Sequence, residues 1–99
     1  MLELLNKLSK DKLSDKKYLF LVDVRTEEEF AQGSVEGAVN IPLSVLEQEF
    51  SQFKNRENIV VFCRSGARSG NAKLILESNG FKNVINGGPW QNVKSAISK

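Results

Sequence analysis

Apolar residues in this chain come in short runs divided by polar stretches, and the runs fall into two kinds. Tyr18–Val24 (YLFLVDV) and Asn58–Phe62 (NIVVF) are β-rich and do not alternate. Such runs suit strands covered on both faces, as in a parallel sheet. Ala38–Ile41, stopped by Pro42, and Asn83–Asn86 read as two shorter strands, with Gly87-Gly88-Pro89 ending the second of them. Between the strands the spacing becomes helical. Thr26 before Glu27, Glu28 and Glu29 is an N-cap with acids in the first turn, and Gly33 closes that helix early. Ser44 predicts a capped helix of about ten residues carrying Val45, Leu46, Phe50 and Phe53. Ala72, Ile75 and Leu76 mark a helix from near Ser69 to Ser78, ended by Asn79-Gly80. Trp90, Val93 and Ile97 give the apolar face of a last helix, where Trp90 reads as core packing. At the start, Leu2, Leu4, Leu5 and Leu8 predict a short amphipathic helix, and lysine-rich Lys10–Lys17 reads as a solvated linker.

Strand and helix alternate four times. That order predicts an α/β fold, a small open, twisted parallel sheet of four or five strands with helices on both faces and right-handed crossovers. A length of 99 residues fits a single domain: a helix and basic linker over 1–17 and a core over 19–97. In open sheets of this kind the working site lies beyond the carboxyl ends of the strands. Cys63 and Asp23 both stand at such ends.

The net charge of +2 gives no reason to expect a nucleic-acid partner, and no apolar run approaches a membrane span of roughly 20 residues. No secretory leader is recognisable at Met1–Lys10, and an unpaired cysteine suits a reduced compartment, so a cytoplasmic, monomeric protein is expected. The absence of histidine matters more. It removes histidine general bases, Ser-His-Asp and Cys-His constellations and the usual zinc sets. Chemistry is left to Cys63, carboxylates, basic side chains and backbone amides.

Cys63-Arg64-Ser65-Gly66-Ala67-Arg68-Ser69 is where such chemistry would sit. A buried strand brings a thiol to the mouth of a short loop feeding directly into a helix. Inward-facing N–H groups of the loop, the unpaired N–H groups of the first helical turn, Arg64 and Arg68 would all favour thiolate. The thiol of Cys63 is therefore expected to titrate below the usual value of about 8.5. A buried, inert cysteine is the plainer alternative, though the Arg, Ser and Gly flanks are poor company for one.

The chain resembles the single-domain rhodaneses, a sulfurtransferase family. The resemblance rests on Leu21-Val22-Asp23-Val24-Arg25 with Glu28-Glu29-Phe30, Gly33 to Pro42, Val60 to Gly70, Gly80 to Val84, and Gly87-Gly88-Pro89-Trp90, in the family order. It implies that Cys63 takes a sulfane sulfur from a small anionic donor such as thiosulfate, becomes a persulfide, and passes the sulfur to a thiol, cyanide or a thioredoxin-like acceptor. It implies a cradle from Arg64, Ser65, Gly66, Ala67, Arg68 and Ser69, with Arg68 holding the donor. Asp23 and Arg25 are expected to brace the loop or to form a structural ion pair. No cofactor and no metal is implied. Where the family often has histidine this chain has Ser34, at a position usually remote from the sulfur transfer.

Two other functions fit parts of the same pattern. A cysteine-dependent phosphatase resembles Cys-x5-Arg, whereas Cys63 to Arg68 is Cys-x4-Arg, one residue shorter and a tighter ring. A non-catalytic rhodanese-like module that binds a partner or senses redox state would need only an accessible, low-pKa thiol.

Overall fold

The structure, a computed structural model, describes residues 19–56 and 58–97. The expected N-terminal helix and basic linker lie outside the described residues. Four strands are present among the described residues: β1 (Phe20–Asp23), β2 (Val39–Asn40), β3 (Ile59–Cys63) and β4 (Val84–Pro89). They form one sheet in the order β2-β1-β3-β4, and every neighbouring pair is parallel. The helices are α1 (Glu27–Ala31), α2 (Ala67–Ser78) and α3 (Trp90–Ile97).

The strand residues divide by parity, as a pleated sheet requires. Phe20, Val22, Ile59, Val61, Cys63 and Val84 face one core with Leu46, Phe53, Ala72 and Leu76. Leu21, Val60 and Phe62 face the other with Val35, Val93 and Ile97. Every residue of β1 and β3 is buried, which is why neither run alternates in sequence. Helical segments cover both faces, as expected.

The Thr26 cap forms as predicted. Glu29 N–H donates to Thr26 Oγ1 at 3.2 Å and Thr26 N–H donates back to Glu29 Oε1 at 3.1 Å, a reciprocal capping box. Three expectations are corrected. The Ser44-capped helix is replaced by two 3-10 segments, Leu43–Gln48 and Phe50–Phe53, with no side-chain cap. Leu46 and Phe53 still reach the core, so burial is met by short, tight turns instead of a continuous helix. Helix α2 starts at Ala67, two residues ahead of the expected start near Ser69, which shortens the cysteine loop.

The third correction concerns β4, which runs through Gly87-Gly88-Pro89 instead of ending before them. A register shift lies there: Val61 pairs with Asn86, but Phe62 pairs with Gly88. One residue on β4 is therefore extra, a bulge that bends the strand. Gly87 fills it because a Cβ would lie 2.6 Å from Val93 Cγ2, inside the packing of α3 on the sheet.

Candidate active site

Strand β3 ends in the thiol and α2 begins four residues later, so Cys63 sits beneath the helix N-terminus. Gly66 occupies the cap position with φ 104° and ψ −12°, a left-handed backbone that a side chain rarely adopts. Glycine brings no capping side chain, and the cysteine sulfur takes that role. Gly66 N–H donates to Sγ at 3.0 Å and Ser69 N–H at 3.4 Å, the latter from the first helical turn, where N–H groups lack internal acceptors. The Ser69 hydroxyl is also 3.4 Å from Sγ.

Burial pushes the Cys63 thiol up. Against it, the Ser69 hydroxyl and the N–H groups of Ser69, Gly66 and Ser65 pull it down, and the net shift is below the ordinary thiol value. The direction matches the expectation from sequence; the cause is narrower. Hydroxyl and amides carry the shift, while the arginines were expected to share it. Cys63 also has no exposed surface, so the thiol lies under the loop and not at its mouth. Arg64, Ser65 and Ala67 form the exposed rim above it, whereas Gly66 and Ser69 are buried.

Arg68 is turned to a different partner. Its guanidinium makes a two-pronged contact with Glu29, Nη1 to Oε1 at 2.7 Å and Nη2 to Oε2 at 3.0 Å. The contact holds the Glu29 carboxyl down at about 2, with help from the Thr26 N–H and hydroxyl, and raises the arginine. The charges of Cys63 and Asp23 raise Arg68 further, by less than Glu29 does. Arg68 also lines a cleft of about 300 Å³ with Val24, Thr26, Pro42, Leu43 and Ser44. Cys63 is not among those lining residues.

Asp23 and Arg25 form a buried ion pair, Nη2 to Oδ2 at 2.7 Å, with Nε bonding both carboxylate oxygens. Its further bonds run away from the cysteine loop. Arg25 Nη2 donates to the Gly33 carbonyl at 2.6 Å, and Ser34 Oγ donates to Asp23 Oδ2 at 2.7 Å. Asn40 Nδ2 binds the Asp23 and Arg25 carbonyls, and the Arg25 guanidinium lies 5.1 Å over the Trp90 ring. These are the contacts of a structural ion pair, whose side chains tie β1 to the turn at Gly33-Ser34 and to Trp90 of α3. Ser34, set aside on sequence, belongs to this network.

Two residues were missed as site residues. Glu29 read only as a first-turn acid, and nothing local signals its arginine partner 39 positions on. Asn86 read only as the last residue of a strand. It lies 7% exposed beside the cradle, accepting the Ser69 hydroxyl at 2.6 Å and Gly88 N–H at 3.0 Å through Oδ1 and donating to the Gly66 carbonyl at 3.3 Å through Nδ2. A polar residue just before a glycine pair, at the strand end nearest the cysteine, was the available signal.

Known proteins with the same pattern agree on family. The family profile described as Rhodanese-like domain matches residues 3–89. A sulfurtransferase of Allochromatium vinosum is 36% identical over 75 residues, spanning 76% of this chain and 70% of that protein. The thiosulfate sulfurtransferase PspE of Escherichia coli is 35% identical over 74 residues, spanning 73% and 71%. Among solved structures, a rhodanese-like domain protein from Staphylococcus aureus superposes with a TM-score of 0.74 at 32% identity, covering 86% of this chain and 82% of that one. A rhodanese with anions from E. coli gives 0.68 at 34% identity, covering 75% and 89%. Among the described residues no helix is long and apolar enough to cross a membrane. With the profile covering most of its length and a cysteine held at the end of β3 under the first turn of α2, the chain belongs to the rhodanese-like domain family.

Proposed function

We propose that this protein is a sulfurtransferase that carries a sulfane sulfur on Cys63, taking it from a small anionic donor such as thiosulfate and giving it to a thiophilic acceptor. The observation that carries the reading is the 3.0 Å bond from Gly66 N–H to Cys63 Sγ, backed by Ser69. Donors aimed at one sulfur stabilise an anion there without a basic side chain. The names of the relatives support the same reaction class.

The chemistry balances without a cofactor. The Cys63 thiolate attacks the outer sulfur of thiosulfate; the S–S bond to the sulfonate breaks and sulfite leaves with the electron pair. Cys63 then bears a persulfide whose terminal sulfur is anionic. A nucleophilic acceptor (a thiolate, cyanide or the cysteine of a thioredoxin-like protein) attacks that sulfur and returns Cys63 to thiolate. Amide donors suit both halves because the negative charge stays on sulfur throughout. Arg64 on the exposed rim offers charge to the sulfonate end of the donor, while the Arg68 guanidinium is held by Glu29.

Incubation with thiosulfate followed by intact-mass measurement tests the reading. The expected result is a gain of one sulfur atom that cyanide discharges as thiocyanate and that Cys63→Ser lacks. No gain, or turnover retained in Cys63→Ser, overturns it.

A further inference from the structure

We infer that Asn86 is a positioning residue for Cys63: it holds the Ser69 hydroxyl hydrogen away from the sulfur, and that hydrogen must turn over when the thiol ionises. The bond directions follow from which groups can donate. Gly88 N–H points at Asn86 Oδ1, which fixes that atom as the amide oxygen, and Nδ2 then faces the Gly66 carbonyl. Oδ1 cannot donate, so the 2.6 Å contact to Ser69 Oγ has its hydrogen on the serine. The nearby Gly66 carbonyl, 3.1 Å from the same hydroxyl, is also only an acceptor.

A hydroxyl has one hydrogen to give. While Cys63 is a neutral thiol, S–H can donate to Ser69 Oγ across 3.4 Å and Ser69 donates on to Asn86. When the thiol proton leaves for solvent, sulfur becomes an acceptor. The Ser69 hydrogen must then swing to it, leaving two oxygens 2.6 Å apart with no hydrogen between them. Asn86 thus sets a cost on the thiolate that the amides of Gly66 and Ser69 offset. This moderates the thiol without abolishing its ionisation, and a less depressed thiolate is the stronger nucleophile.

The charged groups around Cys63 do not obscure this effect. On the α2 side is Arg68, paired with Glu29 of α1; at the end of β1 is Asp23, paired with Arg25; Arg64 is on the exposed rim. Strand β4 presents Asn86, Gly88 and Pro89, none of which titrates.

The inference deepens the proposed function, since it takes Cys63 as the reacting atom, but its test needs no sulfur donor. The pH dependence of iodoacetamide alkylation is measured in the wild type and in Asn86→Leu. With the hydroxyl released to the sulfur, the midpoint in Asn86→Leu should fall by about half to one pH unit, a roughly three- to tenfold gain in thiolate below the midpoint. The shift should vanish when Asn86→Leu is made in a Ser69→Ala background. Loss of a purely structural brace would loosen Gly66 and move the midpoint upward, so an upward or absent shift overturns the inference. Should Asn86→Leu not fold, the wild type still decides: the Asn86 carboxamide carbon resonance should titrate with the Cys63 midpoint, and a resonance that stays fixed through it refutes the claim. Failure of thiosulfate loading with these shifts present would sink the sulfurtransferase reading alone.

Discussion

Glu29 and Arg68, 39 positions apart, grip each other at 2.7 and 3.0 Å and so join the cap of α1 to the first turn of α2 beside Cys63. The same glutamate closes the capping box on Thr26. One side chain therefore fixes both a helix start and the orientation of the cationic group nearest the cleft.

This pairing has a pH signature. The Glu29 carboxyl is lowered from 4.5 to about 2, so the folded state binds its proton less readily than the unfolded chain does. The stabilisation from this group is therefore fully present above about pH 4.5 and is lost as pH falls through about 2. A carboxyl-carbon titration by NMR should place the Glu29 midpoint near 2, and Arg68→Ala should bring it back toward the usual carboxylate range.

Releasing Arg68 should alter donor use. In Glu29→Gln the guanidinium loses its ionic partner and becomes free to meet an anion at the cleft. The expected outcome is a lower KM for thiosulfate, by a few-fold at low ionic strength, with the advantage shrinking as salt is added. An unchanged KM would mean that Arg68 does not meet the donor.

Gly66→Ala should damage both fold and chemistry. At φ 104° an added Cβ imposes strain of about 1–3 kcal/mol, read as a lower denaturant midpoint. Relief of that strain turns the Gly66 N–H off the sulfur, so the alkylation midpoint of Cys63 should rise. A variant with wild-type stability and an unchanged midpoint would contradict the cradle geometry.

Arg25→Met should cost far more stability than activity near Cys63. Asp23 has no exposed surface, and removing its partner leaves a buried carboxylate with the Arg25 backbone N–H and the Ser34 hydroxyl as its remaining donors. Breaking a buried pair in this way costs about 3–5 kcal/mol, measurable by urea unfolding. The Cys63 alkylation midpoint should stay within a few tenths of a pH unit of the wild type, because the pair's side-chain bonds run to Gly33 and Ser34.

The linear order of residues determined a good deal by itself. Buried parallel strands need apolar side chains on both faces, so Phe20–Asp23 and Ile59–Cys63 appear as unbroken β-rich runs, and their alternation with helices implies the parallel order. Thr26 with Glu29 is a local cap, complete within four residues. The cysteine loop was legible for the same reason: its glycine, its serines and the following helix are all contiguous with Cys63.

Tertiary packing decided the rest, because the forces involved join distant segments. Ser44 is a competent cap, yet the segment after it had to deliver Leu46 and Phe53 to a fixed core wall, and 3-10 turns do so. Arg68 was expected to face a donor, and a carboxylate from α1 claimed it, since a two-pronged ion pair outcompetes water for the guanidinium. Asn86 joins the cysteine cradle because the pairing of β4 with β3 sets it opposite Val61, on the face of the sheet that Val61 shares with Cys63. Register and bulges are agreements between strands, so no single stretch of chain contains them.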